Sequence, residues 1–420
     1  MTRSENPKPT KELILDAAFS FLVEPRFSTF SMNELAAKVG ISKPAIYRHF
    51  KNKEAVLAAM EMRVIDGMEE YLCRLNPDSA QDVQVPLAGL IDYFIKNPAY
   101  INYIIAQMSS TANYEAQIFK NLWDRNIPFV KRHSSNDSYL QELRHDVSGL
   151  SRHVFSGMTI FFFVKVFERL YRCGEIARMP ENLSQHIVDL MLGGLSGTTS
   201  KDDFMHPCPL SEERKAEIIS LCKISPETFP KENRIFTALA NVIEKYKMTG
   251  VTVERIAAEL NMAKSSLYEY FDNKNEMVRT LIKKELAILQ TIIVENSAEA
   301  KSFTEYVYIL MLSELEYFLH RPSIIPISGW LLMGGTDIHD DGKSDAECKN
   351  SPWELRLPER IIQPDLGCPY SPEVITGWIK CLPVAFLIEA KGKKINREKC
   401  MEAFMLTIDF ILNGIGGGTK

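Results

Sequence analysis

Residues 31–57, SMNELAAKVGISKPAIYRHFKNKEAVL, are matched without a gap by residues 252–278, TVERIAAELNMAKSSLYEYFDNKNEMV, at a constant offset of 221. The two stretches are identical at Ala36/Ala257, Ala37/Ala258, Lys43/Lys264, Tyr47/Tyr268, Phe50/Phe271, Asn52/Asn273 and Lys53/Lys274. A period this long is too wide for a stacked repeat, so the chain reads as two copies of one domain pair joined in tandem.

Local signals set the helices of the first copy. Ser31 opens a helix, and Glu34 three residues on completes a capping box, with Leu35, Ala36 and Val39 facing inward. Gly40 supplies the left-handed conformation of a tight turn. Ser42 caps a short helix with Pro44 in its first turn, where a missing N–H does no harm. Ile46, Tyr47 and Phe50 are expected to form its buried side, and Asn52 caps a further helix running past Met60. Upstream, Thr10 is expected to cap a helix with an apolar face of Leu13, Ile14, Ala17, Ala18 and Phe21, ended at Pro25. Two short helices across a glycine turn, the second carrying Lys43, Arg48 and His49 outward, form a helix-turn-helix pattern.

With ILDAAFSFLVEPRF upstream, residues 12–60 resemble the N-terminal domain of the tetracycline-repressor (TetR) family of transcription regulators, and residues 234–281 resemble it more loosely. The resemblance implies an all-α chain with two copies of a DNA-binding domain, each followed by a helical ligand-binding and dimerisation domain. The expected boundaries are 10–60, 61–200, a linker at 201–232, 233–281 and 282–420.

In such a motif the reading helix enters the major groove of double-stranded DNA. Lys43 and Tyr47 suit phosphates, Arg48 suits a guanine edge, and Ala45 offers a methyl-sized contact to thymine. Lys53 stands at a helix N-terminus where free N–H groups also attract phosphate. Ser31, Ser42, Pro44 and His49 complete the first set. By position the second set is Thr252, Lys264, Ser265, Ser266, Tyr268, Glu269, Tyr270 and Lys274. The plainer alternative is that these are solvated residues of a small domain.

The second copy departs from the pattern. Ala263 replaces Ser42 and removes a cap, at ~1 kcal/mol, while Asn261 replaces Gly40 and tolerates the left-handed turn. Glu269 replaces Arg48, and Asp272 replaces Lys51. Residues 31–57 hold five basic and two acidic residues, net +3, whereas 252–278 hold three and five, net −2. Because phosphate neutralisation supplies most non-specific affinity, the second head is expected to bind DNA more weakly.

The whole chain, 420 residues with 45% apolar and 25% charged residues, carries a formal net charge of −5, so DNA contact must come from a local basic patch. The apolar run Val154 to Val164 is far short of the ~20 residues of a membrane span. The N-terminal residues lack the apolar core of a signal peptide. Eight cysteines lie scattered without a CxxC pair, as in reduced cytoplasmic proteins. Phe204-Met205-His206-Pro207-Cys208 has no second ligand pair, so no metal, cofactor or catalytic set is expected.

Tyr93, Phe94, Tyr100, Tyr103, Phe119, Trp123 and Phe129 read mostly as core, although the resemblance implies that some of the aromatics line a pocket for a small apolar ligand. His145, His153 and His186 read as satisfied or exposed rather than as ligand groups. Segments about 147–172, 181–195, 372–391 and 396–413 are too apolar for one amphipathic face and need further partners. In the resembled family such helices pair two subunits. Both pairs here lie in one chain, so an internal pseudo-dimer is expected; the alternatives are a homodimer of full chains and an interaction protein whose second head has lost DNA binding and serves dimerisation or ligand sensing. The segment 336–372 reads as an irregular loop.

Overall fold

A computed structural model of the protein describes residues 8–22, 30–74, 84–110, 114–133, 147–172, 174–195, 209–227, 229–246, 251–269, 271, 274–332, 372–393 and 396–416. The expected loop at 336–372 lies outside them except for Pro372, which begins a helix, and the metal-like fragment 204–208 and His145 lie outside them too. Among the described residues the chain is all-helical, without a strand. It divides into two compact units, the first holding described residues 8–133 and the second 147–416.

In the first unit, α1 (Thr10–Ser20), α2 (Met32–Val39), α3 (Lys43–His49) and α4 (Lys53–Cys73) form the first head. The capping signals operate as read. Ser31 N donates to Glu34 Oε2 at 2.7 Å while Glu34 N donates to Ser31 Oγ at 3.2 Å. Gly40 turns the chain at φ +76°. Ser42 Oγ accepts from Ala45 N at 3.4 Å, and Asn52 Oδ1 accepts from Ala55 N at 2.9 Å.

The expectations for α1 need two corrections. Pro9, not Thr10, stands at the N-cap, and no side chain caps the helix. The buried face is Ile14, Leu15, Ala18 and Phe19, with Leu13 exposed. Run I-L-D-A-A-F offers apolar residues on adjoining faces, and packing against α2 and α4 selects among them. Tyr47 is likewise exposed, so α3 buries Ile46 against a core that also takes Phe50.

Helices α5 (Gln84–Lys96), α6 (Pro98–Ser110), α7 (Tyr114–Asp124) and α8 (Pro128–His133) complete this unit. Here α6 is tied directly to the head. Asn102 Nδ2 donates to Leu22 O at 2.8 Å, Tyr103 Oη donates to Leu57 O at 2.9 Å, and the Phe19 ring lies 4.8 Å from that of Tyr100. Phe94 and Tyr103 are buried core. The Trp123 ring carries Lys131 Nζ 3.7 Å from its centre. The side chains of Phe119 and Phe129 are outside the described residues.

The second unit holds α9 (Val147–Arg172), α10 (Leu183–Gly193), α11 (Glu212–Leu221), α12 (Arg234–Tyr246), α13 (Val253–Glu259), α14 (Lys264–Tyr268), α15 (Lys274–Ser297), α16 (Phe303–His320), α17 (Ile324–Leu332), α18 (Pro372–Lys393) and α19 (Arg397–Asn413). The second head, α12 to the start of α15, buries side chains equivalent to the first. Leu15, Ala18, Leu35, Ala36 and Ile46 correspond at offset 221 to Phe236, Leu239, Ile256, Ala257 and Leu267, and all ten are buried.

Around α16 the packing is complete, with every residue from Phe303 to Phe318 buried. The described part of the expected linker, 209–227 and 229–232, lies along α16. Arg214 donates to both carboxylate oxygens of Glu305 at 3.1 and 2.9 Å, Cys222 Sγ meets Ile309 O at 3.7 Å, and Arg321 donates to Pro230 O. Glu314 is wholly buried within this layer, and its carboxyl oxygens have no hydrogen-bond partner among the described residues. Burial pushes its pKa up to about 8 against the partial opposition of Lys380, itself lowered by burial.

Helices α9 and α10 pack with α18 and α19. Trp378 is fully buried between Phe155 and Phe163, both at 5.7 Å between ring centres, and its Nε1 donates to Thr159 Oγ1 at 3.0 Å. Phe155 also meets Phe410 at 5.7 Å. At the helix ends Ile415 N donates to Met191 O at 2.9 Å. By length and composition α9 is the one helix among the described residues long and apolar enough to cross a membrane, and its window is half buried within this bundle.

Candidate nucleic-acid interface

The capping that starts α3 at Ser42 also aims it. With Ile46 buried, the opposite face presents Lys43, Pro44, Tyr47, Arg48 and His49 to solvent, while Ala45 is half-buried. Lys43 makes no ion pair among the described residues. Tyr47 is 44% exposed, a ring standing out from the head instead of closing its core. Ser31 and Ser42 are exposed but their side-chain oxygens accept from Glu34 N and Ala45 N, so their first task is to hold helix ends.

Lys53 is partly covered. Its Nζ lies 5.2 Å from the centre of the Phe30 ring, and burial holds its pKa below the usual lysine value, opposed by Glu54 and Glu34. It keeps its place at the first turn of α4, where a phosphate would meet both the ammonium and free backbone N–H groups.

In the second head Thr252 Oγ1 accepts from Arg255 N at 3.3 Å and starts α13. Asn261 makes the inter-helix turn at φ +53°, and Ala263 leaves the start of α14 without a side-chain cap. Lys264, Ser265, Tyr268 and Glu269 are exposed and Ser266 is half-buried. Tyr268 is 44% exposed, equal to Tyr47. Tyr270 lies outside the described residues, as does the side chain of Lys274, which begins α15.

One contact was missed in the residue pattern. Lys264 Nζ is ion-paired with Glu254 of α13, and its pKa is raised by that hydrogen bond. The equivalent of Glu254 in the first head is Asn33. The signal was present as a charge difference at one aligned position, but only the turn geometry brings two residues ten apart into contact. Helices α3 and α14 therefore differ in electrostatics: α3 offers a lysine without an ion pair among the described residues beside Arg48, and α14 a paired lysine beside Glu269. Among the described residues no group of three His, Cys, Asp or Glu side chains is placed to hold a metal.

The sequence profile described as "Bacterial regulatory proteins, tetR family" matches residues 14–60 and again 235–281. The chain is 20% identical over 395 residues to the HTH-type transcriptional regulator YxbF of Bacillus subtilis (strain 168), covering 88% of this chain and 95% of that protein. It is 25% identical over 250 residues to the HTH-type transcriptional regulator YerO of the same organism, covering 56% and 82% respectively. An HTH-type transcriptional regulator of Staphylococcus aureus (strain USA300) is 25% identical over 138 residues, which cover 32% of this chain and 74% of that protein. Both profile matches coincide with the two heads, and the relatives are described as HTH-type transcriptional regulators. The chain carries the tetR-family helix-turn-helix domain twice, in tandem, at residues 14–60 and 235–281.

Proposed function

We propose that one polypeptide does the work of a two-fold dimer, with domains at 10–60, 61–200, 233–281 and 282–420 and a linker at 201–232. The observation that carries this reading is the packing of α9 and α10, from the first copy, with α18 and α19, from the second. Trp378 and Thr159 are hydrogen-bonded across 219 residues of sequence in that bundle. Helices apolar on most sides need partners beyond their own domain, and here each pair supplies the other's.

On this reading two unlike reading helices meet two unlike half-sites. The operator is asymmetric, with half-site centres about one helical turn, or a small multiple of it, apart. Lys43, Tyr47 and Arg48 supply most of the affinity and base choice, and a small apolar ligand bound among the helical domains modulates it. The protein acts in the cytoplasm, most simply as a repressor, and needs neither a catalytic centre nor a cofactor.

The test is a footprint of the purified full chain on an operator selected from random DNA, with the mass of the complex measured alongside. An asymmetric two-part site under one chain supports the reading; a palindrome under two chains overturns it. The net charge of −2 over 252–278 favours a second reading, in which the second head stays off DNA and serves assembly, leaving a single half-site footprint under one chain.

A further inference from the structure

We propose that Glu254 stands in for a DNA phosphate at Lys264 and thereby sets how strongly the second head binds DNA. This rests on the reading of both heads as DNA-binding units. Lys264 is the first residue of its helix, as Lys43 is of α3, the position assigned above to a phosphate contact. Its ammonium is already engaged by a carboxylate from the helix across the turn. The aromatic neighbour is kept as well, with Lys264 Nζ 5.5 Å from the centre of the Tyr268 ring.

The first head is the internal control. Its frame is the same: a side-chain cap at Ser31 or Thr252, a left-handed turn at Gly40 or Asn261, a buried Ile46 or Leu267, and a tyrosine with equal exposure. At the Glu254 position it carries Asn33, which is neutral, and Lys43 has no ion pair among the described residues. The ion pair is therefore an added feature and not a requirement of the motif.

Its position explains how it acts. Glu254 lies in the first turn of α13, where the helix dipole favours its carboxylate, and pairing with Lys264 holds its pKa below the usual range. The two side chains are 58% and 48% exposed, so the pair contributes little to stability. It is weak enough to be displaced by DNA, yet displacement leaves a carboxylate beside a phosphate. Docking then gains less counterion release than an unpaired lysine would bring, and the carboxylate must be moved or neutralised. A head of this kind engages only when the rest of the site holds it in place, which lets one chain grade its two half-sites.

The experiment is equilibrium binding of the full chain to its selected duplex, by fluorescence anisotropy, across a potassium chloride series. The variants are Glu254→Asn, which installs the first head's residue, Glu254→Gln, Lys264→Ala, Lys43→Ala and the double variant Glu254→Asn with Lys264→Ala. Glu254→Asn and Glu254→Gln are expected to tighten binding about three- to tenfold near 0.1 M salt and to steepen the log–log salt slope by about 1. The double variant is expected to lose that gain.

No change with either Glu254 variant overturns the proposal. So does a gain that survives in the double variant, because the effect would then be general charge and not release of Lys264. Lys43→Ala separates the two levels of argument: undiminished binding by it sinks the assignment of α3 as the reading helix, whatever Glu254 does.

Discussion

Gly194 and Gly414, the residues that end α10 and α19, lie directly against each other. A Cβ built on Gly194 would fall 2.6 Å from Asn413 N and Leu412 C, and one built on Gly414 would fall 2.5 Å from Gly193 N. Both have positive φ, +59° and +73°, a conformation that side chains resist. They are offset by 220 residues, one less than the heads, so the end of each copy meets the end of the other.

Alanine at either glycine therefore faces both backbone strain and a steric clash with another backbone. Gly194→Ala and Gly414→Ala are each expected to destabilise the second unit by about 2–4 kcal/mol, seen as a thermal midpoint lowered by roughly 5–10 °C. A midpoint within about 1 °C of the parent would mean that the crossing is not a fixed part of the fold.

Trp378 allows a graded test of the same bundle. Trp378→Phe keeps most of the ring contacts with Phe155 and Phe163 but loses the donor to Thr159 Oγ1, costing about 1 kcal/mol. Trp378→Ala opens a cavity and is expected to cost about 3–5 kcal/mol in urea denaturation. Equal losses for the two would show that the hydrogen bond, not the packing, holds the halves together.

Helices α3 and α14 differ by one cap, and that difference is exchangeable. Ser42→Ala is expected to lose ~1 kcal/mol of stability in the first head and Ala263→Ser to gain a similar amount in the second. Hydrogen exchange at the amides of α3 and α14 would register both. If Ala263→Ser leaves α14 exchange unchanged, the start of that helix is held by something other than its cap.

Glu314 gives the fold a pH dependence with a definite sign. Burial raises its folded-state pKa from 4.5 to about 8, so the folded chain holds a proton that the unfolded chain releases. Its contribution to stability is fully present below about pH 4.5 and is lost as pH rises through about 8. Lys380, lowered by burial, acts in the opposite sense, and Tyr306 and Cys381 are the other titratable neighbours. Glu314→Gln is expected to flatten the fall in urea midpoint between pH 6 and 9. A variant whose midpoint falls as steeply as the parent's would refute this account of Glu314.

What was legible in the sequence was what depends on neighbours three or four residues away. The capping box of Ser31 and Glu34, the caps at Ser42 and Asn52, the turns at Gly40 and Asn261 and the missing cap at Ala263 all stand as the residues imply. The repeat itself, and with it the two heads, follows from the same local grammar used twice.

The tertiary structure alone decided which of several apolar residues is covered and which charges meet. α1 turns Leu15 and Phe19 inward and leaves Leu13 exposed, because α2 and α4 lie on that side. The described part of the linker lies along α16 through Arg214 and Glu305, 91 residues apart, and Trp378 reaches Thr159 across 219. A cap is a hydrogen bond within one turn of chain and is written where it acts. Burial and ion pairing belong to whichever distant helix arrives, and no local pattern of residues names it.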